Sequence, residues 1–379
     1  MMLLKNTRCD DTAQSRQKTA GRSEVEAVLR CDPSGAAPLF LPAIYEHKAW
    51  FVQSTPSAVA RDGGLLARAL LAEYETLAPD ALTVGMDVYN IEAEAAGCSV
   101  VYYEGADASV PSIGSHVLKE GDDLAGAPLP HPLRDGRMPV NIQAAREVRR
   151  ALGDDFWLRG AVSGPFSLAV SLVGADALFM ACLESPEWVQ GVLDYARRVV
   201  QEYAGAYIDA GAGLIIFDSQ ASPALISPAM YERLVLPATQ KLVQWMAAQG
   251  VRDVPLVIGG DTLPIARLLV QTGANNLLCD FTADVAAWLG VCREAGRALR
   301  RNISPSLLQT ESPGQIYSHA RAEVARGAGF PGFIMGTGVI PYGTPSENLL
   351  AVRQACRDAA GGGVSSTPSA ALPGAAHQP

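Results

Sequence analysis

Short apolar runs in this sequence end, one after another, on a carboxylate, an amide or a hydroxyl. TVGM stops at Asp87, GAVSG carries Ser163 near its end, and LIIF leads into Asp218, Ser219 and Gln220. LVIGG leads into Asp261 and Thr262, LLC into Asp280, RRN reaches Asn302, and FIMG ends at Thr337. Gathered on one rim, such groups could orient a small molecule, hydrogen-bond a leaving atom or move a proton. Asp87, Asp218 and Ser219 are the candidate catalytic groups. His47, Ser163, Phe166, Gln220, Asp261, Asp280, Asn302 and Thr337 are the candidate substrate-binding groups. The competing account is local: Asp, Ser and Thr are favoured helix N-caps and follow strands for that reason alone. Asp261 before Thr262, and Ser163 before Pro165, suit that account best. Asp87 and Asp218 suit it least, because no obvious helix starts within two residues of either.

Other chemistry is thinly represented. GAG at 211–213 and GTG at 336–338 lack the G-x-G-x-x-G context, and there is neither a Walker A loop nor a G-x-S-x-G elbow. The five histidines form no metal pattern. His47, in YEHKAW, could face the rim, although a hydrogen-bonded loop histidine is its ordinary reading. Cys279 reads as a small core residue.

The elements that must carry these groups alternate. APLFLPAI, DALTVGM, FWLRGAVSG, GLIIFDSQ, VPLVIGG, NLLCDF, ALRRNIS and FIMGTG read as buried parallel strands, with helical patterns such as PEWVQGVLDYARRVVQEYAGAYIDAG between most of them. Parallel strands need crossover helices. This number of units predicts a closed (β/α)8 TIM barrel, whose functional groups lie at the C-terminal ends of its strands. A doubly wound open sheet is the alternative. The interval from 88 to 155 is too long for one crossover and is expected to hold inserted loops. Residues 1–22 and 361–379 lack periodicity and are expected to be disordered, leaving one barrel domain over 23–360.

Composition narrows the function classes. A chain of 379 residues that is 49% hydrophobic can fill a large core, and its net charge of -9 argues against nucleic-acid binding. No stretch is long enough to span a bilayer, no basic amphipathic helix suggests a membrane surface, and the opening segment has no apolar h-region. The seven cysteines are dispersed. A cytoplasmic setting is therefore expected.

GAVSGPFSLAVSLVG, IIFDSQASPALISPAMYERLVLPATQKLV and GFIMGTGVIPYGTPSENLLAV resemble, in order and spacing, the uroporphyrinogen decarboxylase superfamily, over roughly residues 35–358. That superfamily includes haem-pathway decarboxylases and corrinoid-dependent methyltransferases, and the resemblance implies a (β/α)8 barrel. The decarboxylases carry an N-terminal P-x-W-x-M-R-Q-x-G-R loop whose arginines hold substrate carboxylates. Here the matching region, YEHKAWFVQSTPSAVARDGG, has no arginine pair. Asp87 matches the decarboxylase aspartate that faces the pyrrole nitrogens, and Ser219 matches a family serine. Ser171 replaces a family tyrosine, and Thr337 replaces a histidine. The thiol-methylating branch has a zinc site built from His-x-Cys-Gly-Asp-Thr and a later cysteine. Val257, Gly259 and Thr337 stand at those three positions, while Gly260, Asp261 and Thr262 persist.

The resemblance therefore implies a zinc-independent methyltransferase working with a cobalamin carried by a partner corrinoid protein and a small-molecule methyl donor or acceptor. No metal ligand is nominated. A decarboxylase acting on a smaller acid, anchored by Arg159 or Arg301, is the second expectation. A non-catalytic accessory barrel is the third.

Overall fold

The computed structural model describes residues 19–35, 38–105 and 109–361. Its strands are β1 (Leu39–Ala43), β2 (Leu82–Val84), β3 (Ser99–Val101), β4 (Ser112–Ser115), β5 (Leu158–Ser163), β6 (Gly213–Phe217), β7 (Pro255–Val257), β8 (Asn276–Cys279), β9 (Ala298–Ile303) and β10 (Phe333–Val339). Eight of them form one parallel sheet in the order β1-β10-β9-β8-β7-β6-β5-β2; each falls within a run expected to be a strand, except that β10 continues one residue past FIMGTG to Val339. Helices such as Gly63–Leu77, Pro186–Asp209, Val285–Ala295 and Pro313–Arg326 form the crossovers. The result is the (β/α)8 barrel, not the doubly wound sheet. β1, β2, β5 and β8 are buried at every position, as strands covered on both faces must be.

The ring of ladders stops at one place. β1 and β2 lie at opposite ends of the sheet order and share no ladder. Asp80 staples this seam: its backbone N–H donates to Phe40 O at 3.1 Å, and its carboxylate accepts from Phe40 N at 2.7 Å. Farther along, the fully buried Lys48 ammonium donates to Thr83 O at 3.0 Å and Gly85 O at 2.7 Å. It satisfies carbonyls at β2 that a neighbouring strand would otherwise satisfy. Burial lowers Lys48 to about 8, with the buried Glu73 opposing that fall.

Arg22–Leu29 closes the N-terminal end of the barrel, burying Val25, Val28 and Leu29 against Leu39, Leu41, Trp157 and Ile334. Ala20 N donates to Asp80 at 2.8 Å, so residues 19–22, expected to be disordered, are bonded to the barrel floor. The rest of that expectation, over 1–18 and 362–379, lies outside the described residues. The 88–155 interval contains the helix Ile91–Ala95 and an antiparallel β3–β4 hairpin before the helix Met138–Leu152. Among the described residues, no single helix is long and apolar enough to cross a membrane.

Candidate active site at the strand ends

A cavity of about 430 Å³ opens at the C-terminal ends of the barrel strands, within the size range of small-molecule sites. Phe217, Val257, Leu278 and Val339 give it an apolar wall, and Asp87, Ser219, Asp280, Asn302, Thr337 and Arg300 supply its polar groups.

Asp280 organises one side. Its Oδ1 accepts from Phe281 N at 3.0 Å and Asn302 Nδ2 at 3.2 Å, while Oδ2 accepts from Gly260 N at 2.9 Å. Gly260 has φ +83°, a conformation that only glycine adopts readily. The turn after β7 is thus pinned to the end of β8. Thr337 repairs a gap between β1 and β10. Pro42 cannot donate to the ladder, the register shifts between Leu41 and Ala43, and Ala43 N donates instead to Thr337 Oγ1 at 2.9 Å.

On the other flank of the same turn, the Tyr89 hydroxyl lies 2.9 Å from Ser219 Oγ, to which Gly259 N donates at 3.4 Å. Burial holds Tyr89 above the usual phenol range, so it is present as a neutral donor. Asp87 is engaged by Arg137, Nη1 to Oδ1 at 2.8 Å and Nη2 to Oδ2 at 2.8 Å. Arg137 also donates through Nε to Glu94, which accepts from Tyr102, and its guanidinium lies over the Tyr102 ring. Burial raises the Asp87 carboxyl above its ordinary value, and Arg137 opposes the rise.

Six of the residues expected to form the site stand outside the cavity lining. Asp218 is buried and accepts from Ser167 N at 2.7 Å, capping the helix Pro165–Val173 from a neighbouring strand. Its burial raises it to about 6. A Cβ on Gly164 would lie 2.1 Å from Asp218 Cγ, so only glycine admits the carboxylate there. Ser163 donates from N and Oγ to the buried Glu92, at 2.7 and 3.1 Å. Phe166 is core, stacked on Phe179. Gln220 N donates to Ser167 Oγ at 3.1 Å. Asp261 is exposed and accepts from Leu263 N at 3.1 Å, the local bond of a capping residue. His47 is buried edge-on against Phe51, and burial pushes it down to about 4, which leaves it neutral.

The arginines also divide differently from expectation. Arg301 turns away from the barrel axis to Glu323, Nε to Oε2 at 2.8 Å, and Arg159 donates to Thr83 Oγ1 at 2.7 Å without lining the cavity. Arg300, one residue earlier, does line it. Tyr89, Arg137 and Arg300 are the site residues that sequence reasoning missed. Arg137 carried no strand-end signal, because it sits just before the helix Met138–Leu152.

Val257 and Thr337 line the cavity wall, and Gly259 presents only hydrogen toward it. A Cβ there would meet nothing closer than Asp280 Oδ2 at 3.8 Å and Ser219 Oγ at 3.9 Å. Among the described residues, no three His, Cys, Asp or Glu side chains are grouped to share a metal ion.

The family model for uroporphyrinogen decarboxylase (URO-D) matches residues 25–359. A methylcobamide:CoM methyltransferase from Methanosarcina acetivorans is 29% identical over 285 residues, 74% of this chain and 81% of its own length. A uroporphyrinogen decarboxylase from Citrifermentans bemidjiense is 29% identical over 233 residues, 58% of this chain and 66% of its own. A solved methyltransferase from Methanosarcina mazei aligns with a TM-score of 0.79 at 25% identity, covering 90% of this chain and 99% of the other.

Proposed function

The chain belongs to the uroporphyrinogen decarboxylase (URO-D) family, and from that premise we propose that it is a methyltransferase moving a methyl group between a small molecule and a cobalamin held by a partner corrinoid protein, without zinc. The observation that carries this reading is the turn after β7. Its backbone stays pinned to Asp280, yet Val257, Gly259 and Thr337 offer no nitrogen or sulfur donor, and the Thr337 hydroxyl is already used by Ala43 N. A tetrahedral zinc site needs such donors, so this donor set does not fit the metal. No step is therefore assigned to it.

The corrinoid would supply the cobalt that takes or gives the methyl group. The protein's own part is positioning. The apolar wall keeps water from the bound molecule, and Asp280 with Asn302 fixes the shape of the rim. Ser219 and Tyr89 are placed to donate a hydrogen bond to the heteroatom from which the methyl leaves, stabilising charge as it develops. Asp87 serves with Arg137 to hold the inserted segment against the cavity, and Asp218 acts from behind as a helix cap.

Decarboxylation is the less favoured reading. A substrate bearing several carboxylates needs several cations, and among the described residues Arg300 is the only lysine or arginine on the lining. Asp87, the group matched to decarboxylase chemistry, is ion-paired on both oxygens.

The test is to mix the purified chain with cob(I)alamin and candidate methyl donors and follow the visible spectrum for methylcobalamin. Its formation, dependent on the chain and the donor, is the expected result. Methyl transfer at full rate with no corrinoid present would overturn the proposal.

A further inference from the structure

Arg300 is a buried cation with no carboxylate in contact among the described residues. It lies on β9, 3% exposed, and contributes to the cavity lining. Its Nη2 donates to Thr337 O at 3.1 Å, its buried Nε has no acceptor, and among the described residues no carboxylate lies within 4.0 Å of it. Arg301 shows what the chain does with a neighbouring guanidinium on the other face of the same strand: it is paired with Glu323 at 2.8 Å. Arg159 and Lys48, also buried in the barrel, likewise lack a carboxylate within 4.0 Å, donating to a hydroxyl and to carbonyls instead.

The acids on the same lining make no ion pair with it. Asp87 is taken by Arg137, and Asp280, whose oxygens already accept from three N–H donors, acts on Arg300 only through space, from beyond 4.0 Å. Glu46 is the remaining acid on the lining, and among the described residues it too has no cation within 4.0 Å. A guanidinium removed from water without a counter-charge is costly, and a bound oxyanion repays that cost through charge-assisted hydrogen bonds. Room for the guanidinium is built in: a Cβ on Gly336 of β10 would lie 2.2 Å from Arg300 Nε and 2.6 Å from Asn302 Oδ1.

The geometry points to a small organic anion as the molecule bound here. Its carboxylate or sulfonate head sits on Arg300, one layer below Asn302 on β9. Its apolar body runs along Phe217, Val257 and Leu278. Its reacting end lies at Ser219 and Tyr89. The inference names the substrate class for the cavity that the methyl-transfer reading uses, and it rests on that cavity being the reactant site.

Titration calorimetry on the full chain tests it with four probes of one shape: benzoate, benzenesulfonate, neutral benzamide and cationic benzylamine. Benzoate or benzenesulfonate is expected to bind at least about tenfold more tightly than benzamide. R300M is expected to abolish that preference, and R300K to retain part of it. The proposal is overturned if neither anion binds at millimolar concentration, if benzamide or benzylamine binds as tightly as the anions, or if R300M leaves benzoate binding unchanged. Should R300M fail to fold, the anion-to-isostere comparison on the parent chain decides the matter alone. Methyl transfer plays no part in the titration. Failure of the anion preference and failure of methylcobalamin formation are therefore separate results.

Discussion

Glu92→Gln isolates one buried charge beneath the site. Glu92 is fully buried and accepts from Ser163 N at 2.7 Å and Ser163 Oγ at 3.1 Å. Burial nevertheless raises it from 4.5 to about 7, the Ser163 bonds opposing the rise. An acid raised in the folded state contributes stability that is fully present below its unfolded value and lost as pH rises through its folded value. The window therefore runs from about 4.5 to about 7. Between about pH 5 and pH 8.5 the parent should lose about 2.5 kcal/mol through this group alone. Glutamine keeps an oxygen to accept from Ser163 N and carries no charge, so E92Q escapes that loss. The stability of E92Q relative to the parent should then grow by about 2.5 kcal/mol across the interval. At roughly 2.1 cal/mol/K per residue over residues 25–359, this corresponds to a relative shift in melting midpoint of about 3–4 °C. Thermal melts of both proteins at the two pH values measure it. An equal difference in midpoint at both pH values would refute the assignment of a raised carboxyl at Glu92.

Arg137→Met should destabilise the fold by about 3–5 kcal/mol in denaturant titration, because it strands Asp87 and Glu94 without their cation; a loss below about 1 kcal/mol would contradict the pairing. Ser219→Ala and Tyr89→Phe should each slow methyl transfer at saturation by about tenfold or more while leaving benzoate affinity near that of the parent; a loss of affinity with an unchanged saturated rate would assign them to binding instead. Val257→His, Gly259→Cys and Thr337→Cys combined should hold about one zinc per chain by elemental analysis, since the space at Gly259 admits a side chain; no zinc above the parent's would show that the turn no longer presents those positions together.

The strands were legible because a strand buried on both faces writes itself as an unbroken apolar run, and each such run is a barrel strand. The same property hid the arginine of the site. In ALRRNIS an unbroken buried strand gives no alternation to say which face Arg300 or Arg301 takes, and a shift of one residue exchanges the cavity for the helix Pro313–Arg326. The rim acids were read as one group, but the strand-end signal is shared by three jobs. Asp280 lines the cavity, Asp218 caps a neighbouring helix, and Asp261 caps its own turn. Tyr89 and Arg137 belong to the long interval after β2, where only contacts distant in sequence show that they return to the mouth. The β3–β4 hairpin in that interval is short and partly exposed, with little hydrophobic pattern to announce it.

A cylinder stapled along one line by side chains behaves as a split ring. Around the rest of its girth the spacing is held by main-chain ladders that side-chain changes other than to proline leave in place, but across the slit it rests on one lysine and one aspartate. Amide protons flanking the slit should therefore exchange with solvent sooner than those elsewhere on the wall. The aperture of the mouth becomes a quantity that changes at position 48 can widen or tighten without altering any group on the cavity lining, while position 80 governs the floor.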